Sequence, residues 1–213
     1  MSDTPAAQPL VLASASPARL ATLRAAGVEP EVIVSHVDEP AVEQAARAAY
    51  GELTPEDVAL ILARAKAEDV APQADNAIVL GCDSVLEFDG EVHGKPGTAE
   101  RATERWRRMR GQHGTLHSGH WLIDERDDGT GATFGVVAST VVHFADLTDD
   151  EIDAYVATGE PLYVAGGFTI DGLGGPYVER IEGDHHNVVG LSLPVLREML
   201  AQIDIPWHRL LNR

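Results

Sequence analysis

Apolar residues along this chain follow two rhythms, short solid runs and three-to-four-residue spacings, and their alternation predicts an α/β protein. Leu10-Val11-Leu12-Ala13 reads as a buried strand, and Leu20, Leu23 and Val28 follow at helical spacing. Ser16 as cap, with Pro17 at the first helical position, starts that helix, and Gly27 stops it. Residues 31–35 are a second strand candidate. Helices are predicted over about 41–50 and 55–69, the second capped by Thr54 and followed by Pro72. Residues 77–80 form a strand that delivers Gly81-Cys82-Asp83, and 85–88 a strand that turns at Asp89-Gly90.

The rest of the chain is richer in hairpins. A basic helix is predicted over 98–109, before Gly111, and residues 115–124 and 133–144 form long antiparallel strands. Thr148-Asp149-Asp150-Glu151 is a capping box that opens a helix ending before Gly159. A glycine-rich stretch over 165–175 precedes a strand at 177–181, and a last helix covers about 194–203. The pattern predicts one domain over 10–204 with a mixed, twisted sheet, a disordered segment at 1–9 and a tail at 205–213.

Charge narrows the partners. The formal charge of -18 disfavours extended binding to nucleic acid polymers or an anionic membrane, while a local cluster of cations in a cleft still suits a small phosphate ligand. The single cysteine, Cys82, forms no internal disulfide, and no run approaches the length of a membrane span. With no secretory signal at the start, a cytoplasmic location is the default. The basic residues are fourteen Arg and only two Lys, Lys66 and Lys95. A compact ammonium differs from a planar guanidinium in reach and hydration, which draws attention to both lysines.

Several constellations carry chemistry. Ser14-Ala15-Ser16-Pro17-Ala18-Arg19 lies at a strand-to-helix junction, where free N–H groups, two hydroxyls and a guanidinium make an oligophosphate cradle. The same residues also fit a plain helix cap beside a solvated Arg. Asp38, Glu39 and Asp83 sit at predicted strand ends, as oxygen ligands for Mg²⁺ or Mn²⁺ do, or as ordinary turn acids do. His117 and His120 point to opposite faces of one strand, against a shared zinc site. Cys82 has no neighbouring histidine to activate it and reads as a small buried residue. The stretch from Gly90 to Lys95 is one residue short of a phosphate-binding P-loop, and Pro96 stands where Ser or Thr would hold magnesium.

In order along the chain these segments resemble the Maf family of nucleoside triphosphate pyrophosphatases. The resemblance rests on Leu-Ala-Ser-Ala-Ser-Pro-x-Arg at 12–19, Val-Asp-Glu at 37–39, Ala-Arg-x-Lys-Ala at 63–67 and Gly-Cys-Asp-Ser-Val at 81–85. It continues through Gly-Lys-Pro at 94–96, Ser-Gly at 118–119, Ala-Thr-Gly-Glu-Pro at 157–161 and Ala-Gly-Gly-Phe at 165–168. Gly-Leu-Gly at 172–174 and Asn-Val-Val-Gly-Leu-Ser-Leu-Pro at 187–194 complete it. Both lysines fall on these segments.

The resemblance implies a two-lobed α/β fold, an elongated mixed β-sheet flanked by helices with an interlobe cleft, related to inosine triphosphatases. It implies metal-dependent hydrolysis of a nucleoside triphosphate to the monophosphate and pyrophosphate, as house-cleaning of the nucleotide pool. It also implies a homodimer and a divalent metal cofactor, Mg²⁺, Mn²⁺ or Co²⁺. By position, Asp83 resembles the catalytic base and Glu39 a metal or water ligand, so both are candidate metal residues. Ser14, Arg19, Lys66 and Lys95 resemble the triphosphate clamp, with Ser16 in the same segment.

Three positions depart from the family pattern. Ala18 stands where many members have a second Arg, and Val164 where a Lys is common. Asp171 replaces the Gln of the branch that prefers thymidine and uridine triphosphates, and an acid there resembles the branch acting on 7-methylguanosine triphosphate. A carboxylate only accepts hydrogen bonds, so it suits a guanine-type edge, or it simply shapes a glycine-rich turn. The competing functional reading is a nucleotide-binding regulator of septum formation with little catalysis.

Overall fold

One mixed sheet of seven strands runs through the computed structural model, which describes residues 7–211. Of the segment expected to be disordered, residues 1–6 lie outside the described residues. The first half of the chain contributes β1 (Leu10–Ala13), α1 (Pro17–Ala25), β2 (Glu31–Val32), α2 (Glu39–Tyr50), α3 (Pro55–Val70), β3 (Ile78–Phe88) and β4 (Glu91–His93). The second half contributes α4 (Ala99–Met109), β5 (His113–Asp124), β6 (Thr133–Phe144), α5 (Asp149–Ala157), β7 (Val178–Glu182), α6 (His185–Val189) and α7 (Leu193–Gln202). The strand order is β2-β1-β3-β5-β6-β7, with β4 hydrogen-bonded to β3 off that path. β1 is parallel to β2 and β3, as helical crossovers require, and the remaining pairs are antiparallel.

Strand β3 organises the molecule because side chains along it alternate between two faces. Ile78, Leu80 and Cys82 enter one core with Leu12, Leu23, Leu122 and the α7 residues Leu196 and Met199. Leu86 and Phe88 lie further along on the same face and enter a second core built on Trp106, Leu116, Phe144 and Tyr155. Ser84 falls between the two cores on this face, and its neighbour Asp83 points to the opposite face. A polar pair at that position interrupts the apolar packing, so this is where the sheet can line a cleft.

Helix α3 covers the opposite face of the sheet. Its buried Ala59, Ala63 and Ala67 recur every four residues and make a flat stripe. A Cβ at Gly81 would stand 2.2 Å from Ala63 O, and one at Gly119 would stand 2.3 Å from Ala59 O. Both glycines are therefore required by the close approach of helix to sheet, and not by an unusual backbone. Lys66, next to Ala67, is fixed in place by that contact.

The structure differs from the sequence expectations at several boundaries. β3 runs unbroken through Gly81-Cys82-Asp83, because β1 and β5 pair with it on either side at this point. The strand expected over 31–35 shortens to Glu31–Val32, both exposed at the sheet edge. Helix α2 begins at Glu39 because the Asp38 side chain accepts from Ala41 N. Asp38 is thus a cap, while Glu39 is free to face the cleft. Residues 205–211 belong to the packed body, since Ile205 and Leu210 are buried in the first core and Gln8 N donates to Arg209 O at 2.6 Å. Among the described residues no helix is long and apolar enough to cross a membrane.

Candidate active site

A cleft of about 340 Å³ opens where the two cores meet. Ser14, Ser16, Arg19, Glu39, Lys66, Asp83, Lys95 and Asp171 all line it, so every candidate named from the sequence reaches one cavity. They come from the β1–α1 junction, the start of α2, the later turns of α3, the middle of β3, the loop after β4 and the glycine-rich stretch near 171. Its volume suits a ligand of nucleotide size.

Lys66 lies at the centre of the charged end. Its Nζ is 2.5 Å from Asp83 Oδ1 and 2.7 Å from Glu39 Oε1, so one ammonium bridges two carboxylates. Asp83 is 8% exposed, and its carboxyl is pushed above the usual range by burial, against the opposing pull of Lys66 and Arg19. Burial also works to raise Glu39. There the Lys66 hydrogen bond and the charges of Lys66, Lys95 and Arg19 prevail and hold it below the usual value. Two carboxylates on one cation are thereby pushed apart, Asp83 becoming the stronger base.

Arg19 is more structural than a solvated clamp residue. Its Nε donates to Gly190 O at 2.8 Å, Nη1 to Ser14 Oγ at 3.0 Å and Cys82 O at 2.8 Å, and Nη2 to Ser84 Oγ at 3.1 Å. Four of its five N–H donors are thus engaged, leaving one on Nη2. The guanidinium ties α1 to β3 and to the turn after α6. Gly190 is held at φ 116°, and a Cβ there would meet Arg19 Nε at 3.2 Å, so glycine is needed for this tie.

From Arg19 the polar network continues beneath the cleft. Ser84 Oγ and Ser118 Oγ are 2.8 Å apart, and Ser118 Oγ donates to Asn187 O at 3.2 Å. Asn187 Nδ2 donates in turn to Leu116 O at 3.1 Å and Thr140 Oγ1 at 3.0 Å. Such a chain fixes groups in a low-dielectric interior, where an unpaired member would cost more than at the surface. Ser16 caps α1 by accepting from Arg19 N at 3.4 Å. Ser14 Oγ accepts from Arg19 and from Ser16 N, so its own hydroxyl proton is left to donate.

Lys95 and Asp171 meet the cleft differently. Lys95 is exposed and follows β4 on a loop. That loop is braced, since Gly94 O accepts from Arg105 Nη1 at 2.6 Å and Gly97 N donates to Leu162 O at 2.9 Å. Asp171 is also exposed. The glycine-rich turn beside it is held instead by Glu160, whose Oε1 accepts from Tyr155 OH, Thr169 Oγ1 and Gly174 N at 2.9, 2.5 and 3.0 Å. Its Oε2 accepts from Leu173 N at 2.9 Å.

Ser84, Ser118 and Glu160 were not singled out as functional residues from the sequence. Ser84 is a polar residue inside a largely apolar strand, which is a readable signal, whereas Ser118 sits among other polar residues of β5. Glu160 gives no such signal, because its four partners come together only in the fold. The histidines disperse: His117 meets Ser139 Oγ and Glu87 Oε2, while His120 Nδ1 donates to Ser118 O and its Nε2 accepts from Ser192 N. Burial lowers His120 to about 4, so it is a neutral tether for the start of α7. Burial pushes the Cys82 thiol up to about 11 and keeps it an unreactive core group.

Comparison with known proteins bears on the chain as a whole. The family model described as Maf-like protein matches residues 9–203. A nucleoside triphosphate pyrophosphatase of Leifsonia xyli subsp. xyli is 55% identical over 208 residues, covering 96% of this chain and 97% of its own. One of Salinispora tropica is 56% identical over 209 residues, covering 96% of this chain and 88% of its own. Among solved structures, the Staphylococcus aureus Ham1 protein overlays at a TM-score of 0.41 and 14% identity, covering 65% of this chain and 73% of that one. That last likeness is too loose to bear on the site.

Proposed function

The chain belongs to the Maf-like protein family, and on that premise we propose that its cleft hydrolyses a nucleoside triphosphate to the monophosphate and pyrophosphate. The observation that carries this reading is the bridge of Lys66 between Asp83 and Glu39 at one end of a nucleotide-sized cleft. Attack of water at the α-phosphorus shifts charge onto the departing pyrophosphate. Cations that meet it there stabilise the transition state more than the ground state. Lys66, held between Asp83 and Glu39, and the exposed Lys95 supply positive charge, while Arg19 offers its one uncommitted N–H and holds Ser14 in place. Asp83, raised by burial, accepts the proton of the attacking water.

Asp83 and Glu39 are also the residues that would hold a divalent cation. Among the described residues no group of three or more His, Cys, Asp or Glu gathers as a metal cage. Two carboxylates fit Mg²⁺ or Mn²⁺, with Co²⁺ a third candidate, because such ions take few protein carboxylates and complete their shell with phosphate oxygens. When bound, the ion neutralises phosphate charge and acidifies a coordinated water.

Removal of unwanted triphosphates from the cytoplasmic nucleotide pool is the role that follows, in a homodimer as the family resemblance implies. Asp171, exposed at the rim and spared from holding the turn, is available to accept from a guanine-type edge. Product analysis tests the reaction: nucleoside monophosphate with pyrophosphate supports it. Nucleoside diphosphate with orthophosphate contradicts it.

A further inference from the structure

We propose that Tyr163 is the platform on which the nucleobase stacks, an assignment that rests on a nucleotide entering the cleft described above. Two aromatic rings line that cleft, Phe168 and Tyr163. Phe168 is 4% exposed and packs edge-on against Phe144 at 5.0 Å between ring centroids, so it has no face to offer. Tyr163 is 72% exposed and, among the described residues, enters no aromatic pair. The buried Tyr155 and the half-buried Tyr177, by contrast, both pack against Trp106.

An aromatic ring left in water at the wall of a concave site retains its apolar face for another flat ring. Stacking on such a face tolerates any base, because every base has a π surface. The platform is also presented rigidly. Tyr163 ends the 3-10 turn Glu160–Tyr163, whose Pro161 is buried, whose Leu162 O accepts from Gly97 N, and whose Glu160 anchors the glycine-rich turn. Little ordering remains to be done when a ligand arrives. The cations assigned above to the phosphates line the same cleft, and the Lys95 loop is hydrogen-bonded to the Tyr163 turn through Gly97 N and Leu162 O, so a nucleotide there would meet both charge and ring.

Calorimetric titration tests the assignment without requiring turnover. The probes are the α,β-methylene analogue of GTP and inorganic tripolyphosphate, each with Mg²⁺, against the unaltered protein, Tyr163→Ser and Tyr163→Phe. The expected result is about tenfold weaker binding of the GTP analogue by Tyr163→Ser. Tyr163→Phe should stay within about twofold of the unaltered protein, and tripolyphosphate affinity should be the same in all three. Equal weakening for tripolyphosphate, or no weakening for the GTP analogue, overturns the platform. If Tyr163→Ser weakens the analogue alone and the unaltered protein leaves natural triphosphates intact, the platform is supported and the hydrolytic reading fails instead.

Discussion

Lys66 Nζ lies 2.5 Å from Asp83 Oδ1 because helix and sheet are seated on each other without clearance. The alanine stripe of α3 rests on Gly81 and Gly119, and Gly81 precedes Asp83 by two residues on the same face of β3. Packing thus sets the distance between the base and the cation of the proposed reaction.

Asp83→Asn keeps the size of the side chain and removes the base. Turnover should fall by about 10² to 10⁴-fold, the usual contribution of a positioned general base, while the circular dichroism spectrum is retained. Near-normal turnover in the folded variant would contradict the role of Asp83.

Lys95→Ala separates clamp from scaffold. Lys95 is exposed on a loop held by other groups, so the melting temperature should stay within about 2 °C, as for most surface substitutions. Turnover of a nucleoside triphosphate should fall at least about tenfold, the loss expected when one charge-stabilising contact of the transition state is removed. A drop in stability that accounts for the lost activity would contradict the clamp role.

Gly81→Ala inserts a methyl group 2.2 Å from a helix carbonyl, and backbone must move to admit it. Destabilisation of about 3 kcal/mol is expected in urea unfolding, together with loss of activity as α3 carries Lys66 away. Gly90→Ala is the control, because a Cβ there meets nothing within 4 Å. Its φ of 73° makes some strain unavoidable, but activity should persist. Full activity in Gly81→Ala would contradict the link between packing and site.

Much of this was legible before any coordinates. The strand-to-helix junction at 10–19 and the capping boxes at Thr54 and Thr148 are local signals, and local hydrogen bonds realise them. The cleft residues were named through the family resemblance of the segments that carry them. The strand was expected to end at residue 80, whereas β3 continues through Gly81, which admits helix α3, a tertiary contact that no local stretch of sequence shows. Helix α6 escaped notice because five residues are too short for periodicity to register. The commitments of Arg19 reach Gly190, 171 positions away, and no window along the chain spans that.

Acid stability has a local source at the β5–β6 turn. Asp124 is 3% exposed and accepts from Arg126 Nε at 2.6 Å, Arg126 Nη2 at 2.9 Å, Thr130 N at 2.7 Å and Thr130 Oγ1 at 2.9 Å. Burial alone would raise its carboxyl, but these bonds outweigh it and bring it down to about 2, from an ordinary 3.8. The stabilisation, about 2 kcal/mol, is therefore complete above the unfolded value and is lost as pH falls through the folded one. Asp124→Asn should cost about that much at pH 7 and flatten the decline in unfolding free energy between about pH 4 and pH 2. An unchanged slope would contradict the assignment.

Cleavage of the α–β anhydride of a nucleoside triphosphate, with a divalent metal, is the reaction proposed for the Lys66–Asp83–Glu39 cluster. Pyrophosphate release should be measured across ordinary and modified nucleoside triphosphates with Mg²⁺, Mn²⁺ or Co²⁺ and again with chelator, for the unaltered protein and Asp83→Asn. Stoichiometric pyrophosphate and nucleoside monophosphate are expected from at least one triphosphate, abolished by chelator and cut by about 10² to 10⁴-fold in Asp83→Asn. Binding of the same triphosphates without pyrophosphate release under every metal would contradict it.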